Sequence, residues 1–223
     1  MTAAALKAKP LPNYTKTEEL MNTISHAIGI ALGFVALITC LIASKDSVNI
    51  TGSIIYGISM ILMYSVSSLY HGMSAESMLQ KQVMRIVDHC MIFIFIAGSY
   101  APVILNVIYR VSPVKGIVML SLIWAAAIAG TVFNMIDLDK YSKLSMACYL
   151  ILGWFAIFII KPLVAYIGLR GVMYLIGGGI SYSIGAVLYG IGKKKRYMHF
   201  VFHIFVVIGT ALQYVCILNY IIK

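Results

Sequence analysis

Five histidines, His26, His71, His89, His199 and His203, are the residues of this chain best suited to hold a metal ion or move a proton. His199-x-x-x-His203 sets two imidazoles one helical turn apart on one face, so that both can reach one ion. The same spacing serves hydrogen-bonded core pairs, and alone it leaves metal binding open. Ser67-x-x-x-His71 repeats it, and His71 offers a third nitrogen. Three histidines with one position open is the ligand pattern of a catalytic zinc site. Asp88 is then a candidate for the carboxylate that holds or deprotonates a water beside the metal. Its other reading is an ion pair with Arg85, three residues earlier. Ser67 could hydrogen-bond a ring nitrogen, a water or the carbonyl of its own helix. His89 follows Asp88 and lies about 100° further round a helix, so the two are not expected to face one ion; Asp88 inward is the favoured reading. Glu19, Asn22 and His26 share one helical face and could brace such a site or cap the helix end.

The elements that must position these groups are membrane helices. The 223 residues are 61% apolar and 11% charged, with a mean hydropathy of +0.95. A soluble domain carries about 45–50% apolar and about 25% charged residues. Apolar runs of about 20 residues recur, as helical spans require, and the alternation of barrel strands is absent. The net charge of +10 does not point to nucleic acid, because the basic residues fall in short gaps between spans rather than on one patch. Cys40, Cys90, Cys148 and Cys216 lie inside apolar runs at spacings that suit neither a zinc knuckle nor a disulfide framework. Residues 1–19 are polar and lack the apolar core of a cleavable leader, so the first span is expected to direct insertion.

Charge breaks divide the chain into a cytoplasmic segment, 1–21, and a seven-helix domain, 22–223. The expected spans are 22–43, 50–70, 83–108, 116–135, 144–160, 171–191 and 199–222, with Lys161-Pro162 stopping the fifth. Thr15 and Glu18 have capping-box spacing before the first. Gly29-x-x-x-Gly33 predicts a close helix contact, and Pro102, in Gly98-Ser99-Tyr100-Ala101-Pro102, a kink. With the N-terminus inside, the inner gaps hold eleven Lys and Arg residues: Lys7, Lys9, Lys16, Lys81, Arg85, Lys140, Lys143, Lys193, Lys194, Lys195 and Arg196. The outer gaps hold six: Lys45, Arg110, Lys115, Lys161, Arg170 and Lys223. The bias predicts a cytoplasmic N-terminus and an external C-terminus. In that frame all five histidines arrive at the inner side. Ionisable residues within spans are costly and mark functional sites.

Taken together, Glu19-x-x-Asn22-x-x-x-His26, Ser67-x-x-x-His71, Arg85-x-x-Asp88-His89, Gly98-Ser99-Tyr100-x-Pro102 and His199-x-x-x-His203 resemble the hemolysin III family, within the progestin and adipoQ receptor superfamily. The resemblance covers nearly the whole chain. It implies an all-α integral membrane protein of seven helices in a bacterial-type plasma membrane. It also implies Zn2+ held by His71, His199 and His203, with Asp88 beside the water at the metal. Animal receptors usually lack a histidine after this aspartate, so no role for His89 is carried over. The superfamily is also similar to alkaline ceramidases, which are membrane zinc amidohydrolases. That similarity implies hydrolysis of a lipid amide or ester, with Asp88 as base and Ser67 steadying the oxyanion. The expected partners are membrane lipids, a fatty-acid or sphingolipid-like ligand among them, and no nucleic acid.

Three functions remain open from the residues: a zinc-dependent lipid hydrolase, a non-enzymatic sensor or regulator of membrane lipid with zinc as a structural staple, and a pore or channel. A channel should carry polar residues from side to side, whereas here they gather at one end. A serine hydrolase built on Ser67, His71 and Asp88 lacks a nucleophile elbow.

Overall fold

The computed structural model describes residues 6–192 and 195–222; Lys193, Lys194 and Lys223 of the charge count lie outside them. Helix α1, Lys16–Ala43, starts six residues before the expected span because Thr15 and Glu18 close a full capping box. The Glu18 amide donates to Thr15 Oγ1 at 3.2 Å, and the Thr15 amide donates to Glu18 Oε2 at 2.9 Å. Helix α2, Ser47–Gly72, is capped by Asp46, whose carboxylate accepts the Asn49 amide at 2.9 Å. Helix α3, Met78–Ile104, runs on into a π turn, Leu105–Tyr109. Pro102 sits inside this helix, and the Asn106 side-chain amide donates to its carbonyl at 2.9 Å.

Small residues set the helix spacing. A Cβ on Gly29 would stand 2.3 Å from the Tyr64 ring, and one on Gly33 would stand 2.8 Å from Ile61. The expected close contact is therefore made, between α1 and α2. A Cβ on Gly98 would meet Ser59 Oγ at 2.1 Å, which draws α3 against α2.

Helix α4, Pro113–Gly153, loses helical geometry at Asp137 (φ −163°, ψ 98°). A short 3-10 stretch, Phe155–Ile159, leads into α5, Ile160–Gly192. The expected stop at Lys161-Pro162 is not where the axis breaks. Pro162 lies in the first turn of α5, where its missing N–H leaves no helix bond unmade. The break falls at Gly168, whose φ of 67° only glycine adopts freely. Helix α6, Met198–Cys216, ends in a π turn, Ile217–Ile222.

Among the described residues, five joined helical stretches are long and apolar enough to cross a membrane: Lys16–Ala43, Ser47–Gly72, Met78–Tyr109, Pro113–Gly192 and Met198–Ile222. Their outward faces are apolar, as with Ile24, Ile28, Val35, Ile38 and Ile42 on α1. Their buried faces carry Asn22, Ser25, His26, Ser67, His71 and His203. This arrangement suits lipid as the outer solvent, because the polar side chains are turned inward, away from it. The cysteines are free, and Cys40, Cys90 and Cys216 are buried as small hydrophobes.

Candidate metal centre

His71 closes the last turn of α2, while His199 and His203 open the first two turns of α6. All three are buried, and one nitrogen from each lies within 4.8 Å of the others. The Nε2 atoms of His71 and His199 are 3.3 Å apart. Two nitrogens on a tetrahedral zinc at about 2.0–2.1 Å would stand roughly 3.3–3.4 Å apart. These three residues could hold a metal ion.

The partners of the other ring nitrogens favour that use. His71 Nδ1 lies 2.6 Å from Glu19 Oε2, which only accepts when ionised, so Nδ1 carries a proton, and in the neutral ring Nε2 is the nitrogen with the lone pair. Glu19 is fixed in turn by the Lys81 ammonium, at 2.7 Å, which also donates to the Met73 carbonyl. His203 Nδ1 lies 3.3 Å from the Asn22 carbonyl and 3.1 Å from Ser25 Oγ. The carbonyl can only accept, and this again frees Nε2. His199 is held by rings: Tyr14 stacks on it with centroids 5.0 Å apart, and Tyr189 and Phe202 flank it. Burial pushes the Tyr14 phenol up, which keeps that ring neutral over the imidazole.

The start of α6 is pinned by the start of α1. Tyr197 adopts a left-handed conformation, φ 64°, and its amide donates to Glu18 Oε1 at 2.7 Å. The capping carboxylate of the first helix thus also fixes the backbone two residues before His199. A left-handed tyrosine is costly unless its surroundings hold it.

A cavity of about 410 Å³ opens from this cluster, lined at its head by His26, Ser67, Asp88, His89, His199 and His203. Its walls are mostly apolar, with Phe95, Ile96, Val103, Leu150, Leu163, Val172, Ile176 and Val206 among them. Along α6 and into the π turn that ends it, the cavity reaches from His199 to Ile217, roughly 27 Å at 1.5 Å per residue. The wall formed by 138–153 and 169–192 is loosely joined, for the two segments scarcely touch. The Trp154 indole bridges them, donating to Ser183 Oγ at 3.0 Å and lying over Gly179, where a Cβ would stand 3.2 Å from it.

Ser67 is buried and reaches the cavity, and among the described residues it bonds neither a ring nitrogen nor a helix carbonyl. Asp88 also lines the cavity, with an oxygen 3.7 Å from His89 Nδ1. The alternative partner is taken elsewhere, since Arg85 pairs with Asp139 at 2.7 Å. His89 faces the cavity too, but its nitrogens lie 2.9 Å from the Arg85 carbonyl and 3.2 Å from the Tyr189 hydroxyl. His26 stacks flat on His203, with centroids 3.6 Å apart and planes 11° apart, and falls outside the three-nitrogen cluster. Sequence reasoning missed Tyr14, Ser25, Lys81 and Tyr189. Ser25 lies beside His26 on a helix already singled out, and its hydroxyl was the one legible signal of the four.

Replacing Glu19 by glutamine is expected to keep the shape and weaken metal binding about 10–100-fold. Competition with a chelator of known affinity would measure it, and an unchanged affinity would remove Glu19 as the group that orients His71.

The sequence profile described as Haemolysin-III related matches residues 14–214. A protein named Hemolysin-3 homolog in Bacillus subtilis is 35% identical, across 94% of this chain and 97% of its own. Hemolysin-3 of Bacillus cereus is 36% identical, across 92% of both chains. The human monocyte to macrophage differentiation factor, a more distant relative of progestin and adipoQ receptor type, is 27% identical across 92% of this chain and 85% of its own.

Proposed function

This chain belongs to the haemolysin-III related family, as a multi-pass protein of the bacterial-type plasma membrane, and from that premise we propose that it is a zinc-dependent hydrolase of lipid amides or esters. The observation that carries the reading is the convergence of three buried imidazole nitrogens at the head of a long apolar cavity. His71, His199 and His203 would hold the metal. Bound there, zinc supplies Lewis acidity and activates water at neutral pH. Asp88 takes the proton from the attacking water and returns it to the leaving amine or alcohol. Ser67 donates a hydrogen bond to the acyl oxygen as charge builds on it. The cavity takes the acyl chain, which enters from the bilayer past Trp154, and keeps bulk water from the site. A purely structural zinc normally has four protein ligands. Three ligands, of which His199 and His203 line a cavity, favour turnover over a staple.

Topology completes the reading. The 80-residue stretch Pro113–Gly192 would measure roughly 120 Å as one helix, against a hydrocarbon core of about 30 Å. Its breaks at Asp137 and Gly168 suit three crossings, which makes seven in all. The Lys and Arg bias then puts the N-terminus and the histidines at the cytoplasmic leaflet.

The test is to incubate the purified protein, assayed for metal, with an N-acyl sphingoid base. Fatty acid should be released, release should stop with a chelator, and added zinc should restore it. A fully loaded protein that releases no fatty acid from lipid amides or esters would overturn the hydrolase reading and leave the structural one.

A further inference from the structure

His26 is the buried histidine that the proposed reaction does not use. It lies on α1 with 3% of its surface exposed, it lines the head of the cavity, and among the described residues neither ring nitrogen has a protein partner. The fold treats its neighbours differently. His71 Nδ1 meets Glu19, His203 Nδ1 meets Ser25 and the Asn22 carbonyl, and both nitrogens of His89 are paired. Buried polar atoms are rarely left unpaired, and one that is needs an explanation. A neutral imidazole brings one N–H and one lone pair, so His26 has two such atoms.

The ring is also held still. One face stacks on His203, and Tyr64 meets it edge-on at 5.0 Å and 81°. Neither contact is a hydrogen bond, so the ring is held while its nitrogens stay unpaired among the described residues. A buried ring fixed in plane, at the cavity head and beside a metal ligand, is placed to meet the polar end of whatever fills the cavity.

We propose that His26 hydrogen-bonds the head group of the bound lipid. Its N–H donates to the acyl carbonyl oxygen. The ligand class is an acyl chain ending in an amide or a hydroxylated ester, not a plain hydrocarbon or a sterol. This rests on the hydrolase reading and assigns a substrate contact within it. His26 acts on the ligand and not on the metal.

The test compares the full chain with His26→Phe, which keeps the stack on His203 but has no nitrogen, and with His26→Gln, which restores a donor and an acceptor. Metal content is measured in all three. The probe is N-dodecanoyl ethanolamine, titrated into metal-depleted protein so that any loss is independent of the metal. His26→Phe should hold as much metal as the parent when loaded and bind the probe about five- to tenfold more weakly in the depleted state, the loss of about one hydrogen bond. His26→Gln should recover most of that loss. Equal binding by His26→Phe and the parent would overturn the proposal. So would loss of metal in His26→Phe, because the ring would then be serving His203. Absence of probe binding in every protein, the parent included, would instead remove the lipid cavity reading itself and this inference with it.

Discussion

Replacing His203 by alanine is expected to reduce the metal content of the purified protein from about one ion per chain to none. The loss should exceed the 10–100-fold drop in affinity that removal of an outer partner costs, because a ligand nitrogen itself goes. His71 and His199 would remain, but two imidazoles leave half of a tetrahedral shell to water or to the cavity. His203 is also the ring on which His26 lies and the one that Ser25 and the Asn22 carbonyl orient. The backbone should be unharmed, since membrane helices satisfy their amides internally. Helical content by circular dichroism should match the parent while elemental analysis shows the metal gone. Full metal content in His203→Ala would mean that the ion is held elsewhere or that the three-histidine set is wrong.

Replacing Asp88 by asparagine should have the opposite profile. Metal should stay, because Asp88 lies outside the three-nitrogen cluster. Hydrolysis should fall by about 10²–10⁴-fold, the usual worth of a positioned general base. Asparagine keeps the size and a hydrogen-bonding oxygen but cannot take a proton at neutral pH. The carboxylate is not committed elsewhere by Arg85, which Asp139 engages. Single-turnover release of fatty acid from a lipid amide is the measurement, run beside a metal assay of the same preparation. An undiminished rate would remove Asp88 as the base and leave it a role beside His89.

What the sequence disclosed divides along the range of the interactions. Local signals read well. The Thr15–Glu18 box and the Gly29/Gly33 contact follow from spacing within one helix, and each is where the chemistry predicts. The juxtaposition of His71 with His199 and His203 was legible because alternating spans bring the last turn of the second helix and the first turns of the last helix to one side. Contacts between distant elements were not legible. No pattern in residues 6–15 says that Tyr14 folds back over His199, or that Arg85 will pass Asp88 for Asp139. The fifth span shows how a strong local signal misleads. Lys161-Pro162 reads as a stop, yet proline in a first turn is a start, and a lone glycine seven residues after the lysine carries the bend.

The three histidines that could hold a metal come from α2 and α6, braced from α1, whereas α4 and α5 furnish much of the chamber wall and none of those nitrogens. Reactivity and selectivity are thereby housed in different parts of the polypeptide. On the proposed reading, drift in residues 113–192 would retune which greasy tails are accepted while the cation's cradle stays as it was. A scaffold partitioned in this way can diversify its diet without reinventing its chemistry.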